Sequence, residues 1–161
     1  MRPFLKTMYK YFNVAIFTAG AKEYAHKVVD SLDPKKELIF NILHRDHCIS
    51  HREGDFIKDL RIIENFDPKR MVIVDNKLIS FSFQIHNGIP VLPFFGDKED
   101  SELKYLGLYL KELSKCKDFS AVLKRRYDYT SLSKIDFKTL IKELVDSSQL
   151  SKDREVEKVK K

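Results

Sequence analysis

Cysteine is scarce in this sequence, and long apolar runs are missing altogether. Two cysteines, Cys48 and Cys116, cannot build a disulfide framework, so the chain reads as one that works in a reducing, intracellular compartment, nuclear or cytoplasmic. No apolar stretch approaches the roughly 20 residues that a membrane helix needs. Met1 to Phe12 mixes Arg2, Lys6 and Lys10 with aromatics, which is not the core of a signal peptide. No internal repeat is visible. No basic stretch is interleaved with aromatics or rich in glycine, which argues against a nucleic-acid partner bound by base stacking.

What is present suits one folded domain. The 161 residues are 43% hydrophobic and 34% charged, the composition of a soluble globular chain with a real core. The net charge of +6 is unevenly placed. Residues 1–103 carry 15 basic and 15 acidic side chains, whereas residues 104–161 carry 15 and 9. The surplus therefore sits in the C-terminal third, where a solvated helix face and tail account for it most simply.

Periodicity predicts strands separated by helices, hence an α/β fold with a parallel sheet. Phe4, Leu5, Met8, Tyr11 and Phe12 form one apolar stripe, a helix from Pro3 to about Tyr11 with proline at its permitted first position. Residues 14–17 read as a strand, and Ala21 to Leu32 as a helix burying Tyr24, Ala25, Val28, Val29 and Leu32. Asp33-Pro34 ends that helix, because the residue before proline avoids the helical region. Residues 35–57 read as a small β-insertion of short β-prone pieces among charges and histidines. Lys58 to Phe66 is short helix or irregular, with Leu60, Ile62 and Ile63 inward.

Met71-Val72-Ile73-Val74 is a β-branched run that ends abruptly at Asp75-Asn76. It reads as a strand buried on both faces. Asn87-Gly88 suggests a tight turn and residues 89–92 a strand, with Pro90 marking an edge or a strand start. Asp100-Ser101 is expected to cap a helix carrying Leu103, Leu106, Leu110 and Leu113, and a shorter helix covers Phe119 to Arg126. Residues 128–146 read as a C-terminal helical extension and 147–161 as a disordered charged tail.

Three polar points stand out. Thr18 follows strand 14–17, Asp75 and Asn76 follow strand 71–74, and Lys58 lies between them in sequence. Polar residues beyond the C-terminal ends of parallel strands face the crevice where α/β folds bind ligands. A hydroxyl donor, an ammonium group and a carboxylate–amide pair suit a phosphate and a hard cation such as Mg²⁺. Each also has a plainer reading: Thr18 as a helix cap, Lys58 as a surface lysine, Asp75 as a turn residue. His44, His47, Cys48 and His51 are zinc-ligand types, but a twisted hairpin would point them to different faces.

Segments of the chain resemble the small C-terminal-domain phosphatases of the haloacid dehalogenase superfamily, the Dullard and NLI-interacting-factor group. The resemblance rests on Arg2-Pro3-Phe4-Leu5, residues 14–19, Tyr24-Ala25, Arg45 with Cys48, His51-Arg52, residues 56–60, Val72-Ile73-Val74-Asp75-Asn76, Pro90-Val91 and residues 100–103. They occur in the family's order and spacing over about residues 2–127. The resemblance implies a Rossmann-like parallel sheet, with a phosphatase-like domain over 1–127. It implies Mg²⁺-dependent hydrolysis of phosphoserine and phosphothreonine in proteins or peptides. Thr18 would bind phosphate, Lys58 would steady phosphate and nucleophile, Asp75 and Asn76 would hold Mg²⁺, and Arg52 would lie at the cleft rim beside a phosphopeptide.

One element of the family pattern is missing. The Asp-x-Asp-x-Thr segment, which carries the nucleophile and the general acid/base, does not occur in the 161 residues. Without it there is no aspartyl-phosphate step, and Mg²⁺ loses its main ligands. The expectation is thus an N-terminally truncated domain whose central first strand is absent, inactive alone and with weak or no Mg²⁺ binding. Buried backbone groups left unpaired beside such a gap would cost roughly 1–3 kcal/mol each. The alternative is a non-catalytic phosphatase-like binding module, such as the domain of a mitochondrial import receptor.

Overall fold

The computed structural model describes residues 1–51 and 54–127. The expected helical extension and charged tail, and Arg52, lie outside the described residues. The chain divides into two compact units: Met1–Phe66 with Lys77–Ile85, and Asp67–Asn76 with the described part of His86–Lys161.

The first unit begins with helix α1, Arg2–Met8, which has proline in its first turn and buries Leu5 and Met8. The apolar stripe predicted a longer helix. Its last residues instead form turns in which the Tyr9 and Phe12 amides donate to the Leu5 and Met8 carbonyls. Strand β1, Ala15–Phe17, leads to helix α2, Lys22–Leu32, and then to strand β2, Asn41–Leu43. β1 and β2 are parallel, with Ile16 opposite Ile42. A parallel pair needs a crossover of a dozen or more residues, and α2 supplies it. Part of the 35–57 stretch is therefore the parallel partner of β1. Other parts of it form a 3-10 turn, Arg45–His47, and an antiparallel pair, β3 (Ile49–Ser50) and β4 (Phe56–Ile57).

Helix α2 buries Ala25 and Val29, while Tyr24 and Val28 stay exposed. The expected inner face was too wide: Ala25 and Val29 alone of its five residues are fully buried, a narrow stripe. The helix stops at Asp33, whose buried carboxylate accepts the amides of Glu37, Leu38 and Ile39 at 2.8–3.1 Å. Those three bonds hold a tight loop in which Lys36 takes φ 54°, a left-handed conformation that is unfavourable for a side chain larger than glycine. Burial works against ionising Asp33, but the three amide donors outweigh it and hold its carboxyl below the usual range. After β4 a 3-10 turn, Leu60–Ile62, buries Leu60 and leaves Ile62 exposed, contrary to expectation.

In the second unit, β5 (Ile73–Asp75) and β6 (Gly88–Pro90) form a parallel pair, with Asp75 opposite Pro90. The strand starts later than its β-branched run suggested and includes Asp75. Val74 is half-buried between buried Ile73 and Asp75. Asn87-Gly88 is not a hairpin turn. Asn87 ends a 3-10 segment, Leu78–Asn87, broken at Phe81 and Gln84, and Gly88 opens β6. The buried Asn87 amide donates to the Pro68 carbonyl at 2.6 Å and the Met71 carbonyl at 2.8 Å, pinning the segment that enters β5.

Helix α3, Glu102–Leu113, buries Glu102, Leu106, Tyr109, Leu110 and Leu113. Leu103, placed inward by the leucine spacing, is only half-buried, whereas Tyr109 is fully buried. Its N-terminus is held by Asp100, whose carboxylate accepts the Glu102 amide, rather than by the Ser101 side chain. Helix α4, Phe119–Arg126, falls where its pattern put it. Asp118 accepts the Ala121 amide at 2.9 Å, and Lys124, Arg125 and Arg126 complement the dipole at the other end. Arg70 joins the strand side of this unit to α4: its guanidinium lies 4.4 Å over the Phe119 ring and donates to the Cys116 carbonyl.

Candidate phosphate-binding and cation-binding residues

Thr18 stands immediately beyond β1, and its amide continues the ladder by donating to the Leu43 carbonyl at 2.8 Å. It does not cap α2, whose N-cap is Ala21 without a side-chain bond. Its hydroxyl oxygen instead accepts the Gly20 amide at 3.0 Å. A hydroxyl has one proton and two lone pairs. With one lone pair committed to Gly20, its proton remains available to donate to an anion. A side chain at position 20 would disturb this, since a Cβ there would lie 3.2 Å from the Thr18 oxygen and 3.0 Å from the Tyr24 ring.

The Thr18-Ala19-Gly20 loop is gripped from the 3-10 turn that follows β2. The Arg45 amide donates to the Gly20 carbonyl at 3.0 Å, and Arg45 Nε donates to the Ala19 carbonyl at 2.8 Å. The Cys48 thiol points at the Thr18 carbonyl, 3.7 Å away. The turn itself is closed by the His44 amide donating to His47 Nδ1 at 3.0 Å, with the two imidazole rings edge-on at 4.2 Å. Of the side chains that suggested a zinc site, His44, His47 and Cys48 thus serve this turn and its contact with the Thr18 loop. Among the described residues no three His, Cys, Asp or Glu side chains are grouped to hold a metal ion.

Lys58 follows β4 and is buried, with its amide donating to the Ser80 carbonyl at 2.7 Å. It is not the surface lysine of the plainer reading. The next residue fixes its backbone further. Asp59 is buried and chelated by Arg61, whose Nε and terminal nitrogen lie 2.7–3.1 Å from its oxygens. Gln84 donates to Asp59 and accepts the Leu60 amide. The Arg61 hydrogen bonds lead the causes that hold the Asp59 carboxyl down to about 2. This network was not foreseen, because Gln84 is remote in sequence.

Asp75 and Asn76 belong to the second unit, whereas Thr18 and Lys58 belong to the first. The Asp75 carbonyl accepts the Val91 amide at 3.2 Å, which extends the β5–β6 ladder by one rung. Asp75 is buried and Asn76 exposed at the end of a parallel strand. A carboxylate followed by an amide offers hard oxygen donors of the kind Mg²⁺ takes, one or two from protein and the rest from water and phosphate. The donor chemistry therefore fits Mg²⁺, as part of a ligand set.

A family model described as NLI interacting factor-like phosphatase matches residues 1–120. CTD small phosphatase-like protein 3 of Caenorhabditis elegans is 40% identical over 128 residues, covering 79% of this chain and 44% of that protein. The human carboxy-terminal domain RNA polymerase II polypeptide A small phosphatase 1 is 35% identical over 122 residues, covering 76% and 46%. The chain thus spans less than half the length of these relatives. A fission yeast RNA polymerase II CTD phosphatase, solved with beryllium fluoride bound, shares the fold at a TM-score of 0.51 and 20% identity, over 90% of this chain and 44% of that one.

Proposed function

This chain belongs to the NLI interacting factor-like phosphatase family, and from that premise we propose that it supplies the phosphate-binding and cation-binding residues of a Mg²⁺-dependent protein serine/threonine phosphatase. Thr18 donates its hydroxyl proton to a phosphoryl oxygen. The Lys58 ammonium offsets phosphoryl charge in a buried setting, where such an interaction is stronger than in water. Asp75 and Asn76 offer oxygens to Mg²⁺, which when bound supplies charge neutralisation on the phosphoryl group. Arg52 meets the phosphorylated peptide. In the covalent step an aspartate carboxylate attacks phosphorus, the bond from phosphorus to the serine or threonine oxygen breaks, and a second carboxyl group gives that oxygen its proton. No Asp-x-Asp-x-Thr segment occurs among these 161 residues, so both carboxyl groups have to be supplied to them.

The observation that carries this reading is the Gly20 amide bound to the Thr18 hydroxyl oxygen, which leaves the Thr18 proton for an anion. The test is Mg²⁺-dependent hydrolysis of p-nitrophenyl phosphate. The 161 residues alone are expected to show none. Joined to a segment bearing Asp-x-Asp-x-Thr they turn over, and Lys58→Ala or Asp75→Ala lowers that turnover by about 100-fold. Robust turnover by the 161 residues alone overturns the role given to the external aspartates.

A second reading is a non-catalytic module that binds a phosphorylated partner, which the Thr18 loop supports by its anion-directed hydroxyl. It predicts phosphopeptide binding with no turnover even in the joined form, and a mitochondrial location is open to it.

A further inference from the structure

Resting on the phosphate-binding reading of Thr18, we propose that Arg45 is a positioning residue that ties the Thr18 loop to the strand leading into Lys58. Three contacts from this one residue run in two directions. Its amide and its Nε hold the carbonyls of Gly20 and Ala19, at 3.0 and 2.8 Å. Its guanidinium carbon lies 5.3 Å from the centroid of the Phe56 ring in β4, a cation–π distance. Phe56 is two residues before Lys58, and the Lys58 backbone is itself fixed by Ser80. Arg45 thereby bridges the two phosphate-side residues of the first unit without having to touch phosphate.

The residue type matters for this task. The guanidinium is planar and keeps its charge, so one edge donates to a carbonyl while one face lies on an aromatic ring. Neither contact replaces a bond the fold needs elsewhere. Ala19 and Gly20 lie past the end of the β1–β2 ladder, which runs from Ala15 to Phe17. Their carbonyls have no strand to pair with, and Arg45 is what they meet instead. A loop held only by its own turn would sample several placements of the Thr18 hydroxyl, and a misplacement on the order of 1 Å is enough to weaken a positioned contact about 100-fold.

The test compares the full chain with Arg45→Met, which keeps the stem and removes the donor, and Arg45→Lys, which restores a charged donor. Two readouts are taken: hydrogen exchange of the Gly20 amide, and the dissociation constant for inorganic phosphate followed by NMR at Thr18 and Lys58. Arg45→Met is expected to speed Gly20 exchange and weaken phosphate binding by about tenfold each, with exchange at Val29 unchanged. Arg45→Lys, which keeps the charge and a donor but not the planar fork, recovers only part of both. A merely structural role would raise exchange at Val29 together with Gly20, and that result overturns the proposal, as does Gly20 exchange unchanged in Arg45→Met. Failure of the unsubstituted chain to bind phosphate, with Gly20 exchange still dependent on Arg45, counts against the phosphate role of Thr18 and leaves the positioning role standing.

Discussion

Gly20 donates its backbone amide to the hydroxyl oxygen of Thr18, 3.0 Å away and two residues back. The bond sets the direction of the one side chain in this loop that can donate to an anion. A Cβ at position 20 would also crowd the Thr18 oxygen at 3.2 Å, so the hydroxyl would have to shift to accommodate it. The Tyr24 ring is exposed and can move aside, so the conflict concentrates on Thr18. Gly20→Ala is expected to weaken inorganic phosphate binding by roughly 1 kcal/mol, the worth of one hydrogen bond. Its unfolding midpoint should change little. Phosphate titration and thermal unfolding of the same variant check both halves.

Asp59 and Arg61 predict an acid-sensitive element. The carboxyl is held at about 2, below its ordinary 3.8, so the unfolded chain binds its proton at higher pH than the folded chain does. Stability from the pair is complete above the ordinary value and is lost as pH falls from about 4 toward about 2. Asp59→Asn should flatten that part of the stability–pH curve, lowering stability at neutral pH, where the charged pair is complete, and changing it least near pH 2, where the wild-type carboxyl itself takes up its proton. Urea unfolding at a series of pH values measures the slope.

Asp33 holds three amides of the loop that follows α2. Asp33→Ala removes the acceptor from all three and releases the left-handed Lys36. The unfolding midpoint is expected to drop by roughly 5 °C or more. Lys36→Gly should move it the other way, since glycine takes φ 54° without strain. Differential scanning calorimetry of the two variants gives opposite signs if the loop is held as described.

Asn87 satisfies two carbonyls, those of Pro68 and Met71, before β5 begins. Asn87→Leu would bury a side chain of similar size and leave both carbonyls without this donor. The cost should be about 1–3 kcal/mol, read by chemical denaturation. Amide exchange at Ile73 and Val74 should rise more than at Leu123, because the damage is local to the strand entry.

The helices α2 and α4 were legible because each carries its own instructions. Asp33-Pro34 stops the first, and Asp118 with a run of apolar and then basic residues defines the second. The parallel character of β1 and β5 was legible too, from short β-branched runs that end in polar residues. Misreadings followed where one residue type serves two purposes. Asn87-Gly88 has the composition of a turn, yet Asn87 spends its amide on two carbonyls and Gly88 opens a strand. Tyr24 and Val28 have the spacing of an inner face, but among the described residues that side of α2 stays exposed.

The sequence by itself determined which chemistry this chain carries: a threonine, a lysine and an Asp-Asn pair at particular points in an α/β pattern, with no Asp-x-Asp-x-Thr among its residues. Those are choices of functional group, and the residue alphabet records them directly. The tertiary structure alone decided how the first two are held. Arg45 reaches across 26 residues to Ala19, and Gln84 reaches across 25 to Asp59. Hydrogen bonds over such separations form only once the crossover helix and the strands have packed, because directionality demands donor and acceptor within about 3 Å. No local pattern in the sequence encodes that distance.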